Sequence, residues 1–396
     1  MSITEDQKKI IKSTASILKE NGKEITSIFY KHLFEAHPEL LNLFNQTNQK
    51  TGTQSFALAN IIYFAAENID RLEVLMPDIY TIAHKHRALT VQSEHYPIVG
   101  KYMLQAISKF LDDKATPEIL DAWSAAYTVI ADIFIDIEKK LYDELGNKEN
   151  DKDFIPFTIV KKEKIAHGPI YSFKIKRSDG GKLHNYHPGQ YITLRIKKDG
   201  FYHNRHYGLV RPFDGKTYCV GIKQLNNCEP KGIFTNELIE NYNEGNTILA
   251  SLPAGTFAVV NDVKHHLFIA GGIGITVLSA MIEDLYKQDK SHSVTLIHCV
   301  PGRNHAAYID RMRICVPEKQ FHLLYQGRNV LKDLIKKVVT PETHVYLCGT
   351  VSFINTVEDH LEACNFPSSH IHMNAFQPLF SMIKNAVKNQ PTIKSL

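Results

Sequence analysis

The residues of this 396-residue chain whose types and spacing could do chemistry are first a histidine and a pair of glycines. Ile79, Ile82, Ala83 and His86 recur at intervals of three and four, so on a helix His86 shares the apolar face while His84 points elsewhere. A histidine facing an interior has two uses: the commoner is a hydrogen-bonded core residue, the other a metal or heme ligand. The chain has 20 histidines, and most of them are assigned to the surface. Gly272-Ile273-Gly274-Ile275-Thr276 follows an apolar run at 267–270 and opens a helical pattern. In that context backbone N–H groups at a helix start cradle a dinucleotide pyrophosphate. The third glycine of the full dinucleotide motif is absent, so the loop alone does not fix its ligand.

Residues around the histidine carry a resemblance. Phe29-Tyr30, Asn42-Leu43-Phe44-Asn45, Asn48-Gln49, Gln54, the stretch 82–86 and Tyr96 together resemble a globin of the bacterial flavohemoglobin type, and the resemblance spans all three parts of the chain. It implies that His86 is the proximal ligand of a heme b, with Tyr30 and Gln54 as the polar pair over the opposite face and Phe44 and Leu58 packing against the heme. Gln54 lies one turn from Leu58, so both can face one cavity. A phenol or amide donor in an apolar pocket stabilises the negative charge that bound dioxygen acquires. Tyr96 and Glu138 match the pair that hydrogen-bonds the ligand histidine and gives it imidazolate character, and Lys85 matches as well. Without the resemblance, Glu138 reads as a residue on a solvated helix face.

His187-Pro188-Gly189-Gln190-Tyr191 and Asn204-Arg205-His206-Tyr207-Gly208 resemble the flavin site of the ferredoxin-reductase family. This implies that Arg205 answers the FAD pyrophosphate and Tyr207 lies against the isoalloxazine ring, with Tyr191 and His206 in the same site. Gly232 and Thr235 belong to a stretch that resembles the family's phosphate-binding helix start. Gly208 stands where the family has a serine whose hydroxyl helps hold flavin N5. Gly272, Ile273, Gly274, Ile275, Thr276 and Val277 correspond to the nicotinamide loop, and Val277 replaces a proline. Leu347-Cys348-Gly349 resembles a cysteine-glycine-proline turn with Thr350 in place of the proline. Asn374-Ala375-Phe376-Gln377-Pro378 matches the closing flavin-stacking segment at Phe376 and Pro378, with Asn374 replacing a glutamate. The departures gather in the flavin and nicotinamide segments, and the heme pocket shows none. Arg303 suits either a 2′-phosphate or solvent, which leaves NADH and NADPH both open.

Three kinds of element must position these residues. Up to about residue 145 the apolar positions (Ile25, Phe29 and Leu33; Leu58, Ile61, Ile62 and Ala65; Val129, Ile133 and Ile137) keep a helical period. Thr4, Pro38, Ser93 with Tyr96, and Thr116-Pro117-Glu118 read as helix starts, for at least six helices. Residues 146–153 are polar and aperiodic and read as a linker. Beyond them the period becomes two, at Phe157 and Ile159, Tyr171, Phe173 and Ile175, Ile192 and Leu194, and Tyr218, Val220 and Ile222, which predicts a small antiparallel barrel. From about residue 264 strands alternate with helices, as in a parallel α/β sheet. The expected plan is an all-α globin heme domain (1–145), a linker (146–153), an antiparallel β-barrel FAD domain (154–262), a parallel α/β nicotinamide-binding domain (263–378) and a C-terminal tail (379–396).

Composition narrows the function. Lys+Arg 46 against Asp+Glu 42 lacks the concentrated basic charge of a nucleic-acid binder. The apolar stretch 267–282 is shorter than the ~20 residues that span a bilayer and is broken by glycines. Glu5, Asp6, Lys8 and Lys9 do not fit a secretory signal, so a cytoplasmic location is expected. The six cysteines show no C-x-x-C pair and read as buried reduced thiols. The resemblance implies a nitric oxide dioxygenase that converts nitric oxide and dioxygen to nitrate, with electrons from NAD(P)H passing through FAD to heme. Two other readings use the same residues: a gas-binding or sensing globin with a degenerate reductase half, and a flavin-dependent diaphorase or hydroperoxide reductase.

Overall fold

The computed structural model describes residues 3–44, 53–145, 153–225, 232–325 and 328–375. They group in two compact units, one holding the helices up to residue 145 together with Asp199–Asn204, the other holding residues 153–198 and 205–375.

In the helical unit, α1 (Glu5–Ala36) starts with a capping box: the Thr4 hydroxyl accepts from the Gln7 N–H at 3.2 Å, and the Gln7 side chain accepts from the Thr4 N–H at 3.0 Å. After the 3-10 helix Pro38–Asn42 come α2 (Thr53–Glu67), α3 (Met76–Ala88), α4 (His95–Leu111) and α5 (Pro117–Asp143). α5 has Thr116 as its cap and Pro117 in its first turn, as the sequence predicts. Tyr96 lies in the first turn of α4, its N–H bonded to the Ser93 carbonyl at 3.2 Å. The described residues hold five α-helices here, so the expected six are reached by counting the 3-10 helix at Pro38. α1 and α2 approach closely: a Cβ on Gly22 would stand 2.6 Å from the Ala59 Cβ. Thr26 on α1 donates to the Ser55 carbonyl on α2 at 3.2 Å.

A six-stranded antiparallel sheet comprises β1 (Ile155–Lys164), β2 (Ile170–Arg177), β3 (Tyr191–Lys198), β4 (Phe201–Gly208), β5 (Tyr218–Lys223) and β6 (Thr247–Ala250), in the order β4-β3-β6-β1-β2-β5. Just past β4, Leu209 bridges Val220 of β5, so the two end strands of the sheet meet and it curls as a barrel does. α6 (Ile233–Asn241) lies between β5 and β6 in the chain.

A five-stranded parallel sheet follows, with β7 (His265–Gly271), β8 (Val294–Val300), β9 (Phe321–Tyr325), β10 (Thr343–Gly349) and β11 (Ile371–Ala375) in the order β11-β10-β7-β8-β9. Its helices are α7 (Ile275–Lys287), α8 (Ile309–Cys315), α9 (Arg328–Val338) and α10 (Val351–Glu362). β7 and β8 are buried along most of their length, which is why they read as continuous apolar runs rather than alternating ones. The strand order reverses between β7 and β10, and the crevice beyond the C-terminal ends of strands at such a switch point is where open α/β sheets bind ligands. Ile170 of β2 packs into the same hydrophobic cluster as Phe268, Leu278, Met281 and Tyr346, so the two sheets share a core.

Candidate functional site

The helical unit builds its site around His86. α3 buries Ile79 and Ala83, and His86 sits one turn on, half-buried, beside Phe134 at 5.5 Å between ring centroids. Its Nδ1 lies 2.8 Å from the Glu138 Oε1 and 3.1 Å from the Tyr96 hydroxyl. Tyr96 donates to the same Glu138 oxygen at 2.6 Å, and Tyr127 donates to the Tyr96 carbonyl at 2.6 Å. Glu138 is 4% exposed, so it is not on a solvated helix face. A buried carboxylate is stable only when hydrogen-bonded, and here two donors share one oxygen. Burial, then the Glu138 charge, push the Tyr96 hydroxyl far above the usual phenol range, so it remains a donor. With Nδ1 engaged, Nε2 is the ring nitrogen left to present a lone pair.

Tyr30 on α1 is buried among Phe29, Phe34 and Phe44, with Phe44 edge-on at 5.6 Å. Leu58 is half-buried against the same cluster. Gln54 opens α2 next to Ser55, the residue tied to α1 through Thr26, and its Oε1 is buried with no hydrogen-bond partner among the described residues. An orphaned amide oxygen costs about 1–3 kcal/mol, and only a hydrogen-bond donor reaching it, or a flip of the amide, would offset that cost. Lys85 on α3 is half-buried, and burial lowers its ammonium pKa while the nearby Asp78 charge opposes the shift. His86 backed by a carboxylate suits a heme iron, and the Gln54 amide suits a diatomic ligand once its NH2 rather than its oxygen is turned towards it, because only the NH2 donates.

In the barrel, β4 carries Arg205, His206 and Tyr207 in succession. The Arg205 guanidinium lies 5.9 Å from the Phe234 ring, and Tyr207 packs on the same ring at 5.9 Å. Burial raises the Tyr207 hydroxyl above its ordinary range. Tyr191 on β3 meets the His206 ring at 4.9 Å, and His206 Nδ1 is 2.7 Å from the Thr193 hydroxyl. Gly232 caps α6. Thr235 is buried, its hydroxyl donating to the Gly232 carbonyl at 3.4 Å and accepting from the Leu225 N–H at 3.3 Å, so it ties Leu225 to Gly232. Phe234, which the sequence did not single out, is the residue that joins Arg205 to Tyr207.

The glycine loop leaves β7 at the switch point. Gly272 has φ +55 with open space around its Cα, a left-handed turn natural to glycine. Gly274 presses against the Cys348 carbonyl, where a side chain would collide. Ile275, Thr276 and Val277 are buried in the first turn of α7, which leaves backbone N–H groups rather than side chains to face a ligand. Thr276 closes the turn by donating to the Ile273 carbonyl at 2.8 Å. His298, fully buried on β8, lies with its Nε2 2.9 Å from the Gly272 carbonyl. Burial holds its pKa down to about 4, so the ring is neutral and its N–H donates. No local signal marks this histidine in the sequence. It is one more residue in an apolar strand.

Asn374 and Ala375 end β11 in register with Cys348 and Gly349 of β10, bordering the same crevice. Burial pushes the Cys348 thiol up to about 12, which makes it inert. Thr350 caps α10 by accepting from the Phe353 N–H at 3.3 Å. Phe376, Gln377 and Pro378 lie outside the described residues, as do Asn45, Asn48, Gln49 and Cys228. Of the other cysteines, Cys219, Cys315 and Cys348 are buried and free, whereas Cys299 and Cys364 are only half-buried, a correction to the expectation that all are buried.

These two units define a class: a globin joined to an oxidoreductase-type module. The globin family model matches residues 27–134, and the oxidoreductase NAD-binding domain model matches residues 268–359. The chain is 38% identical to a flavohemoprotein of Bacillus cereus over 96% of its own length and 100% of that protein. A solved flavohemoglobin from Malassezia yamatoensis with bound FAD and heme has the same fold, with a TM-score of 0.85 at 24% identity over 95% of this chain and 100% of that one. The FAD/NAD-binding domain of a Vibrio cholerae nitric oxide dioxygenase aligns at a TM-score of 0.52 and 22% identity over 57% of this chain and 100% of that domain. The chain belongs to the flavohemoprotein family.

Proposed function

We propose that the chain is an NAD(P)H-dependent nitric oxide dioxygenase, with heme b in the helical unit (1–145), FAD on the barrel (154–262) and the nicotinamide at the parallel sheet (263–378), acting in the cytoplasm. Its substrates are nitric oxide and dioxygen, its product nitrate. The observation that carries the reading is the His86–Tyr96–Glu138 network, in which a half-buried histidine is backed by a buried tyrosine and carboxylate. A core histidine needs no buried carboxylate behind it, whereas a metal-ligating histidine gains basicity from one.

Heme and FAD, when bound, supply the one-electron, dioxygen and hydride chemistry that side chains lack. The chain's own residues do the rest. His86 offers Nε2 as the ligand, Glu138 accepts from Nδ1, and Tyr96 fixes the carboxylate by donating to it. Tyr30 and Gln54 orient the gas and stabilise developing negative charge, while Phe44 and Leu58 exclude water. Arg205 would neutralise the FAD pyrophosphate, Tyr207 would offer its ring to the flavin, and the N–H groups that open α7 would hold the nicotinamide dinucleotide.

The test is a pair of variants. His86→Ala should lose the heme Soret band while flavin absorbance persists, and His84→Ala should keep both. A wild-type heme spectrum in His86→Ala would overturn the assignment.

A further inference from the structure

The first turn of α7 follows the glycine loop directly, and it rests on the barrel at three points. Thr276 Cγ2 would stand 2.5 Å from a Cβ on Gly221 of β5. The Cγ2 methyl of Val277 would overlap a Cβ on Gly208 at the end of β4, and the Cβ and Cα of Val277 would lie 3.3 and 3.4 Å from it. Ser279 donates to the Val210 carbonyl at 2.9 Å. Thr276, Val277 and Ser279 are all buried. Neither Gly208 nor Gly221 has the left-handed backbone that calls for glycine, so it is space, not conformation, that a side chain lacks there.

We propose that this turn is a gauge that sets the separation between the flavin strand and the nicotinamide loop, with Gly208 and Gly221 as the sockets that admit it and Val277 as the positioning residue. The inference rests on the proposed flavin and nicotinamide sites. Gly208 follows Arg205 and Tyr207 without a break, and Val277 follows the loop 272–276 in the same way. A Cβ added at 208 must therefore push apart the segments that would hold the hydride donor and acceptor. The methyl cannot swing aside cheaply, because a valine within a helix is confined largely to one χ1 rotamer. The Gly208 and Val277 departures from the reductase pattern are thus one feature, a small residue facing a branched one. The Cβ of any side chain placed at 208 would first have to displace Val277. Transfer between bound partners is steep in distance, and a misplacement of about 1 Å can cost about 100-fold.

The experiment is a double-mutant cycle of Gly208→Ala, Val277→Ala and the pair, in the full chain loaded with heme and FAD. It reads FAD affinity by flavin fluorescence, the melting temperature of FAD-free protein, and anaerobic stopped-flow reduction of bound FAD by NADH and by NADPH. Gly208→Ala should melt earlier and reduce its flavin at least about tenfold more slowly, with FAD affinity within about threefold of wild type. Val277→Ala alone, which leaves the seat loose, should be slowed by less than about tenfold. The pair, in which the overlapping methyl is gone and the remaining 3.3 Å Cβ contact is tight but needs only a shift of a few tenths of an ångström, should recover most of the lost rate and melting temperature. The inference is overturned if FAD-loaded Gly208→Ala is reduced at the wild-type rate, or if the pair stays as slow as Gly208→Ala. Should Gly208→Ala fail to fold, a folded and active pair supports the gauge, and a pair that also fails to fold contradicts it. Wild-type protein that takes up no FAD sinks the flavin reading itself, a different failure from a wild-type rate with FAD bound.

Discussion

Tyr30 packs its ring among Phe29, Phe34 and Phe44. Tyr30→Phe keeps that packing and deletes only the hydroxyl. A bond from the hydroxyl to a charge-bearing ligand contributes about 1.5–3 kcal/mol. Oxygen should therefore leave the reduced variant roughly 10- to 100-fold faster, as measured by stopped-flow release. An unchanged rate would make Tyr30 a core residue and nothing more. His86, Tyr96 and Glu138 were legible in the sequence because the family motif supplies what spacing alone does not, namely that residues 52 apart in the chain share a hydrogen bond. His298 was not legible. Its partner is a backbone carbonyl 26 residues away, and a carbonyl has no residue type to read. Gly208 and Val277 were visible only as separate departures, because a steric match between distant positions exists only in the fold.

Helix pairing sets the element scale. Tyr30 and Gln54 sit on α1 and α2, which touch where Gly22 faces Ala59. Gly22→Val gains less than about 1 kcal/mol in helix propensity. Against this, it forces a branched side chain into a gap too small for a Cβ, at a cost of about 1–3 kcal/mol. The second effect wins, so the variant should melt several degrees lower and bind less heme at a given heme concentration. Equal heme uptake and melting temperature would mean that the α1–α2 contact does not shape the pocket. Elements with a clear apolar pattern were legible: α1, α5, β1 and β2 fall where the period put them, and β7 and β8 where the apolar runs did. The strands β4, β6, β9 and β11 and the helices α8 and α9 were not read. β4 is built from Phe-Tyr-His-Asn-Arg-His-Tyr-Gly, too polar for an apolar alternation, and is held by its neighbours in the sheet rather than by its own pattern.

At the scale of the whole molecule, buried neutral histidines tie stability to pH. Burial first, then neighbouring cations and histidines, hold His266 down to about 4. Burial does the same for His298, and burial with His344 and His370 does so for His372. In the unfolded chain each takes up a proton near pH ~6.5. The folded state does not, so below that value the unfolded chain binds more protons. Their contribution to stability is therefore complete above pH ~6.5 and is lost as the pH falls towards 4. Melting temperatures recorded across that window should fall steadily, and less steeply in His298→Gln, which removes one titrating ring. A flat profile would show that these rings are solvated.

The proposed function requires that both units serve one reaction. The most direct measurement follows nitric oxide, dioxygen and nitrate together in protein loaded with heme and FAD and supplied with NADH or NADPH. Nitric oxide and dioxygen should disappear together and nitrate appear mole for mole, and His86→Ala should abolish this while its flavin is still reduced. Reduction of the flavin at a wild-type rate with no nitric oxide consumed in the presence of dioxygen, or nitrate formed equally well by His86→Ala, would contradict the account.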